Sequence, residues 1–206
     1  MTTNLLRNAP YCLFFLVVLG LGGCLKSSAP VYYYTLTADE PGQVSGTAAS
    51  TDSCPSTLLV GPIRIASPLD QRQIARQQSP NSLTLAEQHR WAGDLPQMIS
   101  DVMISNLSRD LDNCPVYTFP DTSEPEGLQL EIYILHFEKD LDGRAWLSTR
   151  WKLISTNSHD DVRHSRNSVH RIPLEGNSYD DLALGLSQSL ALLSHEISSV
   201  VENIQR

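Results

Sequence analysis

The chain has 206 residues, of which 23 are Asp or Glu and 15 are Lys or Arg, for a formal net charge of -8 at pH 7. Basic side chains spread from Arg7 to Arg206 in an acidic chain offer no concentrated positive face, so the sequence argues against a nucleic-acid role, which needs such a face to displace counterions. The residues that follow the N-terminal 23 are a length suited to one domain.

Residues 1–23 read as an address. A polar start with Arg7 leads into the apolar run Tyr11 to Leu19, which breaks at Gly20 and ends at Gly22-Gly23. A membrane-spanning helix needs roughly 20 apolar residues, so this shorter run predicts a signal peptide. Leu21-Gly22-Gly23-Cys24 resembles a lipobox, which implies cleavage before Cys24 and lipidation of its thiol. Ordinary secretory cleavage and an uncleaved anchor are the alternatives. Leu25 stands where an aspartate would signal inner-membrane retention, so the resemblance implies the periplasmic face of the outer membrane. Each buried methylene of an acyl chain contributes about 0.8 kcal/mol to such anchoring.

Cys12 leaves with the signal peptide and Cys24 carries lipid, which leaves Cys54 and Cys114 as a pair in an oxidising compartment. The expected bond is Cys54 to Cys114, a closure worth about 4 kcal/mol in the chain-entropy picture. Two separate buried thiols are the alternative, and a metal site is disfavoured because no Cys-x-x-Cys accompanies them.

Along the mature chain, Lys26 to Pro30 is a tether and Val31 to Thr37, with Tyr32-Tyr33-Tyr34, has the aromatic and β-branched composition of a strand. Residues 38–56, rich in Gly, Ser, Thr and Ala, predict a loop. Leu58 to Ile65 is a strand kinked at Gly61-Pro62, and Gln73–Gln78 with Ser82–Glu87 forms a hairpin around Pro80-Asn81. A helix capped by Asp94 follows, with Leu95, Met98, Ile99, Val102, Met103, Leu107 and Leu111 on one face. Val116 to Phe119 is a short strand, and Leu128 to Phe137 becomes apolar on both sides, the mark of a central strand. Asp140 to Gly143 turns the chain into Ala145–Ile154, where Ala145, Leu147, Thr149, Trp151 and Leu153 share a face. Val162 to Ile172 is mostly polar and reads as an edge strand. The final helix, Tyr179 to Ile204 with Asn177 or Ser178 as cap, buries Leu182, Leu186, Leu190, Leu193, Ile197, Val200 and Ile204 and turns Ser187, Ser194, Glu196 and Ser199 outward.

The order of several strings resembles the PqiC-type family, auxiliary lipoproteins of ABC-type and MCE-type transport systems. They are Cys24 followed by Tyr33-Tyr34-Thr35-Leu36, Arg90-Trp91-Ala92-Gly93-Asp94-Leu95, Phe137 to Ala145 with Trp151 beyond, and Tyr179-Asp180-Asp181-Leu182. The resemblance implies a single α/β domain: a mixed sheet of about five strands with two main helices packed on it, similar to the N-terminal domain of TolB-like proteins. In that reading residues 1–23 are the signal peptide, 24–56 the lipidated tether, aromatic strand and loop, and 57–206 the α/β domain. It also implies a periplasmic docking and anchoring subunit whose partners are an MCE-type transport protein, its membrane subunits and the membrane itself, with a homo-oligomer as a further option. No cofactor is implied.

An enzyme would need a site. No phosphate-binding Gly-x-x-x-x-Gly-Lys, His-Glu-x-x-His or Gly-x-Ser-x-Gly string is present, and Gly185-Leu186-Ser187-Gln188-Ser189 fails the last at its fifth position. His159, His164 and His170 lie in the polar edge segment among arginines and read as solvated. Asp140 and Asp142 are explained by turn formation. Residues expected to meet a partner are Tyr32, Tyr33 and Tyr34, of which at least one must face away from the core, and Trp91, which has a competing role as a packing staple at the helix entrance. A lipid-binding carrier is the alternative function, and a periplasmic hydrolase a weaker one.

Overall fold

A computed structural model describes residues 29–39, 57–112, 114–120, 127–157 and 161–205. Val31–Arg206 forms one compact unit. Its elements are β1 (Tyr32–Tyr34), β2 (Thr57–Ile65), β3 (Gln73–Ser79), β4 (Ser82–Trp91), α1 (Leu95–Asp110), β5 (Val116–Thr118), β6 (Gly127–Lys139), β7 (Arg144–Ser155), β8 (Val162–Pro173) and α2 (Tyr179–Gln205).

All the strands join one 8-stranded mixed sheet, larger than the five strands that the family resemblance implied. The sheet is built on β6. One edge of β6 pairs antiparallel with β7 along its length, and β7 pairs antiparallel with β8. The other edge is shared: its first half pairs parallel with β2, and Lys139 near its end bridges to Arg76 of β3. Beyond β2 lies β5, and beyond β3 lie β4 and then β1. The sheet therefore forks at β6. The expected alternation holds: Leu128, Leu130, Ile132 and Ile134 of β6 and Ala145, Leu147, Thr149, Trp151 and Leu153 of β7 are all buried.

β2 bulges between Val60 and Ile63, where Gly61 adopts φ 130°, a conformation open to glycine and strained for side-chain-bearing residues. This is the kink expected at Gly61-Pro62. β1 is shorter than predicted, because only Tyr32 to Tyr34 find partners on β4. That pairing also places β1 inside the folded unit.

Both helices lie on one face of the sheet, α1 over β2 and β5 and α2 over β6, β7 and β8, and they pack on each other. Asp94 caps α1, its carboxylate accepting from the Gln97 backbone N–H at 3.2 Å. Ser178 and Asp181 cap α2 reciprocally: Ser178 Oγ accepts from Asp181 N at 3.1 Å and Asp181 Oδ2 accepts from Ser178 N at 2.9 Å. The apolar stripe of α2 runs through Leu190, Leu193 and Ile197 to Val201, fully buried, leaving Val200 partly buried and Ile204 exposed. The helix takes a four-residue step there, where the sequence reading took a three-residue one.

Ser187 and Ser194, expected on the solvent side of α2, are buried with Ser189 and Ser198. Their hydroxyls are satisfied within the helix, Ser187 donating to Ala183 O at 2.8 Å and Ser194 to Leu190 O at 3.0 Å. Ser187 Oγ also accepts from Thr37 N at 3.1 Å, and Asn106 Oδ1 of α1 accepts from Asp39 N at 3.0 Å. The segment after β1 is thereby strapped to both helices, with Leu36 packed into the core. Among the described residues no helix is long and apolar enough to cross a membrane.

Candidate functional site

The three tyrosines of β1 divide as strand alternation requires. Tyr33 lies beside Arg90 and is 60% exposed. Tyr32 and Tyr34 share the opposite side with His89, which the sequence reading did not single out. The His89 ring stacks on Tyr179 at 3.9 Å and on Tyr32 at 5.4 Å, and its Nδ1 is hydrogen-bonded to Tyr34 Oη at 2.7 Å. Arg76 sits over the Tyr179 ring at 5.7 Å. Burial, with Asp180 beside it, pushes the Tyr34 hydroxyl above its ordinary value. The cluster joins β1, β4 and the first turn of α2 where the chain enters the fold. Its exposed rim is Val31, Tyr32 and Tyr33.

Trp91 is not part of that rim. It closes β4 with its ring 2% exposed, 6.0 Å from Phe137, and its backbone N–H donates to Arg72 O. A side chain this buried has no surface to offer a partner, which leaves Trp91 the packing role that the sequence favours over docking. Trp151 is fully buried as expected, whereas Trp146 lies on the opposite face, stacked on His136 at 3.5 Å with Arg171 at 4.7 Å on its ring.

The histidines of β8 also differ from expectation. Pairing of His164 with Leu153 and of His170 with Leu147 turns both towards the helices, not into solvent. Glu196 of α2 meets this inner row, accepting from Ser168 Oγ at 2.7 Å and pairing with Arg166 at 3.1 Å and His170 at 3.5 Å. Burial lowers the affinity of His170 for a proton, outweighing the carboxylate of Glu196. An edge strand looks solvated from its composition, but a polar residue on α2 makes the inner row inhabitable. His159 lies outside the described residues.

Asp140 performs turn work, as its sequence context predicts. Its Oδ1 accepts from Asp142 N at 3.0 Å and Arg144 N at 2.8 Å, its Oδ2 accepts from Arg144 Nε at 2.9 Å, and Gly143 takes φ 81°. The neighbouring Glu138 is buried and bonded to His136 at 2.7 Å, and burial raises its carboxyl above the ordinary value despite that bond. Among the described residues no nucleophile is hydrogen-bonded to His136. Among the described residues no group of three or more His, Cys, Asp or Glu is placed to hold a metal.

Cys114 is disulfide-bonded. Cys24 and Cys54 lie outside the described residues. Among the described residues the polar side chains reported above serve turns, caps and strand–helix contacts, and the aromatic rim at β1 is exposed.

Comparison with known proteins follows this architecture closely. The chain is 25% identical over 196 residues to the intermembrane transport lipoprotein PqiC of Escherichia coli K12, covering 93% of this chain and 95% of that one, and is equally similar to its Shigella flexneri counterpart. The fold superposes on a crystal structure of an uncharacterized protein with a TM-score of 0.69 at 20% identity, covering 84% of this chain and 99% of that one. It superposes on protein XCC0632 of Xanthomonas campestris with a TM-score of 0.65 at 20% identity, covering 85% and 96%. Residues 34–198 match the ABC-type transport auxiliary lipoprotein component family, from the β1 tyrosines to near the end of α2. The chain therefore belongs to the family of ABC-type transport auxiliary lipoprotein components.

Proposed function

We propose that the chain is a lipid-anchored periplasmic subunit of an ABC/MCE-type intermembrane lipid transport system, acting as a docking and anchoring component without bond-making chemistry. The observation that carries this reading is the family match over nearly the whole folded unit, preceded at short distance by Cys24 in a lipobox context. From Cys24 to Val31 the chain can reach at most about 25 Å, which holds the β1 rim close to the bilayer that takes the acyl chains. Position is then what the subunit contributes. Leu25 favours the outer membrane. The reading pairs Cys114 with Cys54, the other cysteine left in the mature chain once Cys24 carries lipid.

A carrier would need an apolar cavity for acyl chains. Among the described residues, a surface cleft of about 410 Å³ at the entrance to α1 is lined by Asp70, Gln71, Arg72, Gly93, Asp94 and Leu95, a largely polar set that does not suit acyl chains.

The test is complementation in a host strain lacking the chain, read as outer-membrane permeability to a large antibiotic. Wild type restores the barrier and Cys24→Ala does not. Full restoration by Cys24→Ala would remove the anchoring role, and stoichiometric phospholipid extracted from the purified chain would put the carrier in its place.

A further inference from the structure

The helices cover one face of the sheet; on the other, Leu59, Gln129, Ile154 and Glu138 are buried, but one row across β2, β6, β7 and β8 is exposed. Register places Arg64 beside Tyr133, Tyr133 beside Arg150, and Arg150 beside Asn167, one row across four strands. Arg64, Arg150 and Asn167 are exposed, and Tyr133 is 38% exposed. In the next row Lys152 is paired with Glu131 at 3.0 Å, but among the described residues neither Arg64 nor Arg150 has an ion pair or side-chain hydrogen bond. Further along the same face lies the Trp146 ring, with Arg171 on it.

The sequence predicted no concentrated positive face, because it does not show that β2, β6, β7 and β8 bring these arginines together. Charge is in fact segregated. The two helices carry Asp101, Asp110, Asp180, Asp181, Glu196 and Glu202 against Arg109 alone, while the exposed row of the opposite sheet face carries Arg64 and Arg150 beside the neutralised Lys152–Glu131 pair. Arginine, tyrosine and tryptophan are the side chains that dominate binding energy at protein interfaces, and a guanidinium fork fits a carboxylate with two parallel hydrogen bonds.

We propose that this face, centred on Arg64, Tyr133 and Arg150, is the docking surface for an acidic segment of a partner protein. The proposal deepens the subunit reading above and rests on it. Two strand spacings separate the arginines by about 10 Å, so a helix about 10 Å wide can lie over Tyr133 with carboxylates directed to either side. A partner of that narrow shape fits better than an anionic bilayer. The face is bordered by the carboxylates of Glu131, Asp142 and Asp161, and the chain as a whole is acidic, so a broad negative plane is repelled where a narrow segment in register is not.

The experiment places a photo-crosslinking benzoylphenylalanine at Tyr133, and separately at Tyr33, in the full-length chain expressed in its host. The Tyr133 probe is expected to capture a protein through an acidic stretch identified by mass spectrometry. The double variant Arg64→Glu/Arg150→Glu should reduce that product about tenfold, with an unchanged melting temperature, whereas Arg72→Glu, an exposed arginine off this face, should not. Charge reversal in the captured stretch should restore the product. Capture of lipid alone, of a second copy of this chain, or of nothing at Tyr133 overturns the proposal, as does a product insensitive to the double reversal. If Tyr33 captures a transport component while Tyr133 does not, the surface is wrong and the subunit reading stands.

Discussion

Trp151 of β7 donates its indole N–H to Ser168 Oγ of β8 at 2.8 Å, and that hydroxyl in turn donates to Glu196 of α2. This chain fastens a polar edge strand to the helix layer. Ser168→Ala leaves the Trp151 N–H buried without an acceptor and should cost roughly 1–3 kcal/mol by denaturant unfolding. Trp151→Phe combined with Ser168→Ala should cost less than the sum of the two single changes. Additive losses would show that the bond contributes nothing.

Gly185 lets α2 approach the sheet closely. A Cβ built there meets Leu174 Cδ2 at 2.6 Å and Ala145 Cβ at 2.9 Å. The leucine methyl can turn away, whereas Ala145 is fixed in β7. Gly185→Val should therefore destabilise the fold by roughly 1–3 kcal/mol through overpacking, seen as a lowered denaturation midpoint. A midpoint equal to wild type would contradict this packing.

Acid should weaken the β8 to α2 contact. Because burial makes folded His170 bind its proton less tightly than the unfolded chain does, protons favour the unfolded state as pH falls below about 6.5. The stability tied to this group is present above that range and lost below it. His170→Gln should flatten that part of the melting-temperature profile, and a profile superimposable on wild type would remove His170 as its source.

At the start of α2 the pH dependence is of the Asp type. Hydrogen bonds from Ser178 hold the Asp181 carboxyl below its ordinary value, so their contribution is present above the normal carboxylate range and disappears as pH falls through the depressed value. Ser178→Ala should lower the melting temperature by a few degrees at neutral pH and by less in acid. An equal loss at both pH values would mean that the carboxylate takes no part in the cap.

What was legible in the sequence was local. Asp94, the alternation of β7 and the Asp140 turn each declare themselves within a few residues, and the structure forms them where expected. Three features depend on distant partners and were hidden. Trp91 is expected to pack at a helix entrance, but its partner Phe137 of β6 is not visible from its own segment. His170 looked solvated until Glu196 of α2, far along the chain, was placed opposite. Arg64 and Arg150 share one row only because both flank Tyr133 of β6, a pairing with no signature in either segment.

The central claim is that the thiol of Cys24 becomes the membrane anchor of this auxiliary subunit, and intact-mass and N-terminal peptide mass spectrometry of the chain from its host's membrane fraction tests it most directly. The account predicts a polypeptide beginning at Cys24 and carrying acyl chains on that residue. A chain found in the soluble fraction with Met1 to Gly23 still attached and an unmodified Cys24 would contradict it.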